Sequence, residues 1–328
     1  MKIAIAILNW NGKKLLQRFL PSVIENSPEA RVLVIDNASG DGSQDYIRKN
    51  HPEIRLIQLD DNYGYAGGYN RGLKKIDTDL ICLLNNDVLV KKNWLLPIIE
   101  HFKANTNTAI VQPHIKDLNQ PDYFEYAGAA GGFIDRLGYP YCDGRVFQSL
   151  EKDDGQYDQD KKIFWASGAC FFIRKVKFET LGGFDEDFFA HMEEIDLCWR
   201  AFNQNLDVYS LYQTKVYHLG GGTLGLSPQK TYLNFRNSLF LLLKNLPEKR
   251  LIRIIERMVW DGVAIFFFIF RLQFKNAIAV VRAHFSFYKS FTKMMTKKKK
   301  QPLKTTYFSV KSLPLNYLFT KRGKIFNH

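Results

Sequence analysis

MKIAIAILNWNGKKLLQRFLPSVIENSPEARVLVIDNASGDGS, residues 1–43, passes from an apolar strand through an amphipathic helix into a second apolar strand. Residues 3–8 and 32–35 are aliphatic runs of strand length. Between them Leu15, Leu16, Phe19, Leu20, Val23 and Ile24 recur at helical spacing within 13–25. Residues 54–59, 80–84 and 109–112 repeat the strand signature. Near-continuous apolar strands separated by helices predict an α/β fold, a doubly wound and mostly parallel sheet flanked by helices. Such a sheet binds ligands outside the carboxyl ends of its strands. The first run leads into Asn9-Trp10-Asn11-Gly12 with no small-residue cleavage site, so it reads as a buried strand and not as a signal peptide.

The strand ends are polar. They carry Asn9-Trp10-Asn11-Gly12, then Asp36-Asn37-Ala38-Ser39-Gly40-Asp41-Gly42-Ser43, then the Asn-, Tyr- and Gly-rich residues 62–72, then Asn85-Asn86-Asp87. One such end is explained by turn chemistry, which Gly, Asn and Asp favour; four in succession predict a polar crevice. Asp36 can accept hydrogen bonds from a base or ribose, or close an Asx-turn. Asp87, at the mouth of a buried strand with amides beside it, suits a divalent cation and a diphosphate. Residues 113–160 are irregular and are expected to lie over the crevice as a loop with a few short strands. An apolar block at 163–174 and a short run at 206–211 are further strand candidates.

Glu193-Glu194-Ile195-Asp196 opens a helical pattern over residues 193–203 and follows an aromatic-rich segment. Three carboxylates there can complement the helix dipole. Crowded beside aromatics, one of them can instead be raised toward neutrality and serve as a general base. Arg200 stands four residues from Asp196 and is expected to pair with it, leaving Glu193 and Glu194 to face the crevice. His218, followed by Gly220-Gly221-Gly222, is a candidate contact for metal or phosphate, or a structural histidine.

With 328 residues, 46% apolar and 24% charged, the chain is neither disordered nor fibrous. Cys82, Cys142, Cys170 and Cys198 are too far apart for a CxxC pattern and are expected to be reduced thiols. The net charge of +13 is uneven. Residues 1–228 carry a net −5, and residues 229–328 a net +18 with only Glu248, Glu256 and Asp261 as acids. Long helices are predicted over 234–246 and 250–270. The nine uncharged residues of 262–270 are too few to span a bilayer. Phe-rich surface among Arg and Lys, with Lys297–Lys300 beyond, suits a helix lying on an anionic membrane. The alternative is a core helix followed by a solvated basic tail.

In their order and spacing these segments resemble the family 2 glycosyltransferases of the A-type, nucleotide-sugar-binding fold, over about residues 1–225. The branch most similar is the bacterial one that includes rhamnosyl- and galactofuranosyltransferases. The resemblance implies an inverting transferase that moves a sugar from a UDP- or dTDP-linked donor to a lipid-linked or cell-surface glycan, in polysaccharide biosynthesis. It implies catalytic roles for Glu194 and Glu193. It also implies substrate contacts from Asn9, Asn11, Asp36, Asn70, Asn85, Asn86, Trp165 and Asp196, and an Mn²⁺ or Mg²⁺ ion held by Asp87 and His218. Asn85 replaces the first Asp of the family's Asp-x-Asp motif, and Glu194 stands where Asp is commoner. The expected layout is a catalytic domain over 1–225 and a basic helical extension over 226–328. The extension would hold the enzyme peripherally on the inner face of the cell membrane, with no nucleic-acid partner. The rival classes are a non-catalytic glycan- or lipid-binding scaffold and a basic nucleic-acid-binding protein.

Overall fold

A computed structural model describes residues 1–147, 149–220, 227–297 and 303–319. Gly221, Gly222 and Lys298–Lys300, singled out above, lie outside the described residues. The chain begins β1 (Ile3–Asn9), α1 (Lys13–Glu25), β2 (Arg31–Asp36), α2 (Ser43–Asn50), β3 (Arg55–Gln58), α3 (Gly64–Leu73) and β4 (Leu80–Asn85). β5 (Val88–Leu89), α4 (Leu96–Ala104) and β6 (Thr108–Asp117) follow. β1 pairs in parallel with β2 on one side and β4 on the other, so Asn9, Asp36 and Asn85 finish at one edge of the sheet. Ile5, Ala6, Ile7, Leu83 and Leu84 are at most 1% exposed, as expected of a sheet covered on both faces.

Residues 113–160 supply the short strands β7 (Gly132–Ile134), β8 (Pro140–Cys142), β9 (Arg145–Val146) and β10 (Ser149–Leu150), which form a separate antiparallel sheet. β11 (Lys161–Lys162), β12 (Cys170–Arg174), α5 (Lys175–Leu181), α6 (Glu193–Asn203) and β13 (Asp207–His218) complete the main sheet and its helices. Its order is β11-β13-β6-β12-β4-β1-β2-β3, with β5 attached to β13. The insertion of antiparallel β12 between β6 and β4 was not readable from the pattern. Only residues 170–174 of the 163–174 apolar block enter the ladder. β13 runs well beyond 206–211 and ends on His218, opposite Val88 of β5. That pairing brings His218 beside Asp87.

The C-terminal elements are α7 (Pro228–Asn245), α8 (Arg250–Phe270), α9 (Phe274–Thr296) and α10 (Leu313–Phe319). Leu239, Phe240, Leu241, Leu242 and Leu243 of α7 are at most 2% exposed and share one core with the sheet and α6. Each such buried side chain contributes about 1.5–3 kcal/mol, so α7 is a structural part of the body built on the main sheet. All four cysteines are buried free thiols. Among the described residues no helix is long and apolar enough to cross a membrane.

Candidate active site

The crevice floor is a chain of side-chain contacts running across the strand ends. Asp36 takes the Asn9 amide at 3.1 Å, the Ser39 N–H at 2.9 Å and the Gln44 amide at 2.7 Å. Asn9 in turn accepts the Asn86 amide at 2.8 Å. A side chain at Gly12 would collide with both Asn9 and Asn86, which is why the turn after β1 carries glycine. Asn11, in the left-handed region at φ 50°, accepts the Gly40 N–H at 2.8 Å and ties this turn to the one after β2.

This arrangement bears on two of the expected substrate contacts. Asn9 and Asp36 are 0% exposed, and their polar atoms are committed to each other and to the loop. They shape the floor from beneath it. Asn11, Asn85 and Asn86 remain accessible, as does the half-exposed indole of Trp10 beside them.

Asp87 continues the chain. His218 Nε2 lies 3.1 Å from Asp87 Oδ1, and its Nδ1 lies 3.2 Å from Glu125 Oε2. Burial works against a charged imidazole here, but the two carboxylates overcome it and raise His218 to about 10. Glu125 was missed in the sequence because it sits in the aperiodic 113–160 stretch.

Among the described residues no three His, Cys, Asp or Glu side chains form a metal cage. Asp87 Oδ1 and His218 Nδ1 are nevertheless buried with no well-aligned hydrogen bond, although the ion-pair distances are short. Asp87 Oδ1 and the His218 Nε2 that faces it at 3.1 Å are an oxygen and an imidazole nitrogen of the kind a divalent cation takes, its other ligands coming from substrate and water. Binding would displace the imidazole proton.

Residues 166–169 connect this end of the site to α6. Asn85 N–H donates to Ala169 O at 2.9 Å, Tyr65 hydroxyl to Gly168 O at 2.7 Å, and Ala166 N–H to Cys198 Sγ on α6 at 3.4 Å. The segment leading into α6 is strained: Phe189, His191 and Met192 have φ of 65°, 69° and 71°. Non-glycine residues in this region cost free energy that the surroundings must offset. Phe189 O accepts the Tyr65 and Ala66 N–H groups. The Asn237 amide of α7 lies 2.7–2.9 Å from the carbonyls of Phe188, Ala190 and His191. Arg236 holds Asp187 O and Phe188 O at 3.0 Å. A fully buried Asn within the apolar face of α7 was the available sequence signal for this brace.

The strained segment delivers two carboxyls of different character. Glu193 is 3% exposed; burial, then the neighbouring Glu194, raises it well above the usual range. Glu194 is half-buried, and burial pushes it up to about 7. One oxygen of each is buried without a hydrogen-bond partner.

Three other expected substrate contacts make structural contacts here. Burial works against the Asp196 charge, but Lys244 and Arg200 hold it well below the usual range, and Asn245 adds a bond at 2.9 Å. With no exposed surface, Asp196 is a buried ion-pair centre. Trp165 is 4% exposed, donates to Phe133 O at 2.8 Å and packs flat on Gly132. Asn70 clasps the backbone of Phe184 through both ends of its amide, pinning that segment to α3.

Residues 4–182 match the family described as Glycosyl transferase family 2. The chain belongs to this family. As a family 2 glycosyltransferase it is 26% identical over 244 residues to the low-salt glycan biosynthesis hexosyltransferase Agl10 of Haloferax volcanii, covering 72% of this chain and 73% of that one. It is 25% identical over 248 residues to the N-acetylglucosaminyl-diphospho-decaprenol L-rhamnosyltransferase of Mycobacterium tuberculosis, covering 70% and 79%. Among solved structures, GalNAc-T7 with UDP, GalNAc and Mn²⁺ superposes with a TM-score of 0.60 at 16% identity, over 76% of this chain and 49% of that one. The mannosyltransferase PcManGT of Pyrobaculum calidifontis, with GDP-Man and Mn²⁺, superposes with a TM-score of 0.54 at 11% identity, over 88% and 87%. The fold is thus the A-type fold of glycosyltransferases.

Because α7 braces the segment carrying Glu194, Asn237→Ala is expected to lower kcat by about 10²-fold while donor affinity is kept if Glu194 has the reacting role proposed below, since small misplacement of a reacting group is costly. Steady-state kinetics with an independent donor titration checks it; a loss confined to donor binding would contradict the bracing role.

Proposed function

We propose that this glycosyltransferase inverts the anomeric centre, moving a sugar from a UDP- or dTDP-linked donor to a hydroxyl of a lipid-linked or cell-surface glycan. The observation that carries this reading is the carboxyl pair at the start of α6: Glu194, half-buried with one orphaned oxygen and pushed by burial up to about 7, beside Glu193, which burial and Glu194 raise well above the usual range. A general base works best with a pKa near the working pH. Glu194 takes the proton of the acceptor hydroxyl as that oxygen attacks the anomeric carbon. The bond to the diphosphate breaks on the opposite face, and its electron pair leaves with the nucleotide. Glu193, raised further by burial and by Glu194, disfavours two adjacent negative charges on the pair.

Asp87 and His218 would hold the divalent cation. When bound, it would offset charge on the departing diphosphate. Asn11, Asn85 and Asn86 are placed to bind nucleotide and sugar hydroxyls, with Trp10 available to lie against the base. Residues 1–225 carry the donor chemistry, and 226–328 brace it through α7 and serve a lipid-borne acceptor from the inner face of the membrane.

Thermal-shift screening of nucleotide sugars with and without Mn²⁺ tests the donor class. Asp87→Ala is expected to weaken metal-dependent donor binding by about 10–100-fold or more, the scale on which metal sites respond to altered ligation. Calorimetric titration checks this, and equal affinity in the variant, or in the presence of a chelator, would remove the site.

A further inference from the structure

α8 and α9 form a hairpin with two apolar sides. The inner side is fixed to the body by Ile254, Val280, Ala283 and Phe287, each at most 3% exposed, and by a buried polar cluster. In that cluster Asp261 pairs with Arg257 at 2.8 Å and with His284 at 3.1 Å. Among the described residues the outer side has no partner. On α8, Ile252, Ile255, Val259, Phe266 and Phe270 follow one another at helical spacing and are 57%, 62%, 65%, 74% and 90% exposed. On α9, Phe274, Ile278 and Phe285 continue it at 53%, 59% and 69%. Single exposed apolar residues are ordinary, whereas a continuous stripe along two helices marks an interaction surface.

We propose that the outer side of this hairpin docks in the plane of an anionic lipid bilayer. Charge selects the occupant. Lys275, Arg282 and Lys289 of α9, and Arg271 in the turn between the two helices, are exposed. Among residues 229–328 the only acids are Glu248, Glu256 and Asp261. Of these, Glu256 is paired with Arg136 at 3.0 Å and Asp261 is fully buried. A second copy of the chain would set cation against cation across the stripe, whereas anionic headgroups complement it. The 21 residues of α8 extend about 31 Å, and at this length the helix presents a long apolar edge to a surface. An apolar face bordered by Arg and Lys, on a helix that does not cross, is the pattern of an interfacial helix.

The surface deepens the proposed use of a lipid-borne acceptor, but it is read out by binding, so its failure is separable from failure of the transfer chemistry. The full chain is sedimented with vesicles of phosphatidylcholine alone and of equimolar phosphatidylcholine and phosphatidylglycerol, at low and high salt. We expect at least about tenfold stronger binding to the anionic vesicles at low salt, partly retained at high salt by the apolar face. The double variant Phe266→Ser/Phe270→Ser, altered only at highly exposed positions, should lose binding about tenfold while nucleotide-sugar affinity is kept. Equal sedimentation of variant and wild type would overturn the proposal. A wild-type dimer in the ultracentrifuge that the double variant converts to monomer would also overturn it, assigning the stripe to a second copy. Vesicle binding with no sugar transfer would support the surface and count against the transfer reading alone.

Discussion

Glu194→Gln is expected to lower kcat by about 10²–10⁴-fold, the range supplied by a positioned general base, with donor affinity changed by no more than about twofold. The amide keeps the shape and much of the polarity of the carboxylate but cannot take a proton. In the proposed mechanism donor binding rests on the strand ends and Asp87, which residues 166–169 join to α6. The pH profile gives a second signature. With Glu194 at about 7, wild-type turnover should rise through that pH as the base ionises and should fall below it; the residual rate of the variant should lack this acid limb. The effect on stability has the opposite sign. A folded pKa above the unfolded value means that the native state binds the extra proton, so this stabilisation is present below the ordinary carboxyl range and is lost as pH rises through about 7. In the proposed mechanism the ionisation of Glu194 that turnover requires therefore carries a small cost in stability.

Asp196→Ala is expected to destabilise the fold by about 3–5 kcal/mol, because removing one partner from a buried ion pair leaves an uncompensated charge. Lys244, 7% exposed, would lose the carboxylate 2.9 Å away and keep only Asp185 at 2.6 Å. Arg200 would lose its bond at 2.9 Å but keep the carbonyls of Leu181 and Gly183. Asp196 joins α6 to α7, so the damage should reach the segment carrying Glu194. Urea unfolding measures the loss. A variant of unchanged stability that fails only to bind donor would restore the substrate contact expected from the sequence and contradict the buried ion-pair centre.

These two residues, two positions apart, show what the sequence discloses and what it hides. The periodicity of residues 3–112 is local, and it gave the strands, the helix over 13–25 and the end of the sheet at which to look. The helix over 193–203 was legible for the same reason. The position of β12 between β6 and β4 was not, since pairing of distant strands leaves no local period. Polar residues at strand ends point equally well at a ligand or at one another. Asn9 and Asp36 point at one another, and Asn86 joins them. Glu193, Glu194 and Asp196 look alike in sequence, yet the surroundings raise one carboxyl well above the usual range, push one to about 7 and hold one well below it. That sorting depends on Lys244 and Asn245, which lie almost fifty residues further on. Glu125 completes the surroundings of His218 from a stretch with no pattern at all.

The most direct test of the single crevice is a crystal structure of the chain with a UDP- or dTDP-sugar and Mn²⁺. The nucleotide should lie along the ends of β1, β2 and β4, with its diphosphate at Asp87 and His218 and the anomeric carbon presented to Glu194 on the face away from the leaving group. A nucleotide bound elsewhere, or Glu194 standing on the same side as the diphosphate, would contradict it.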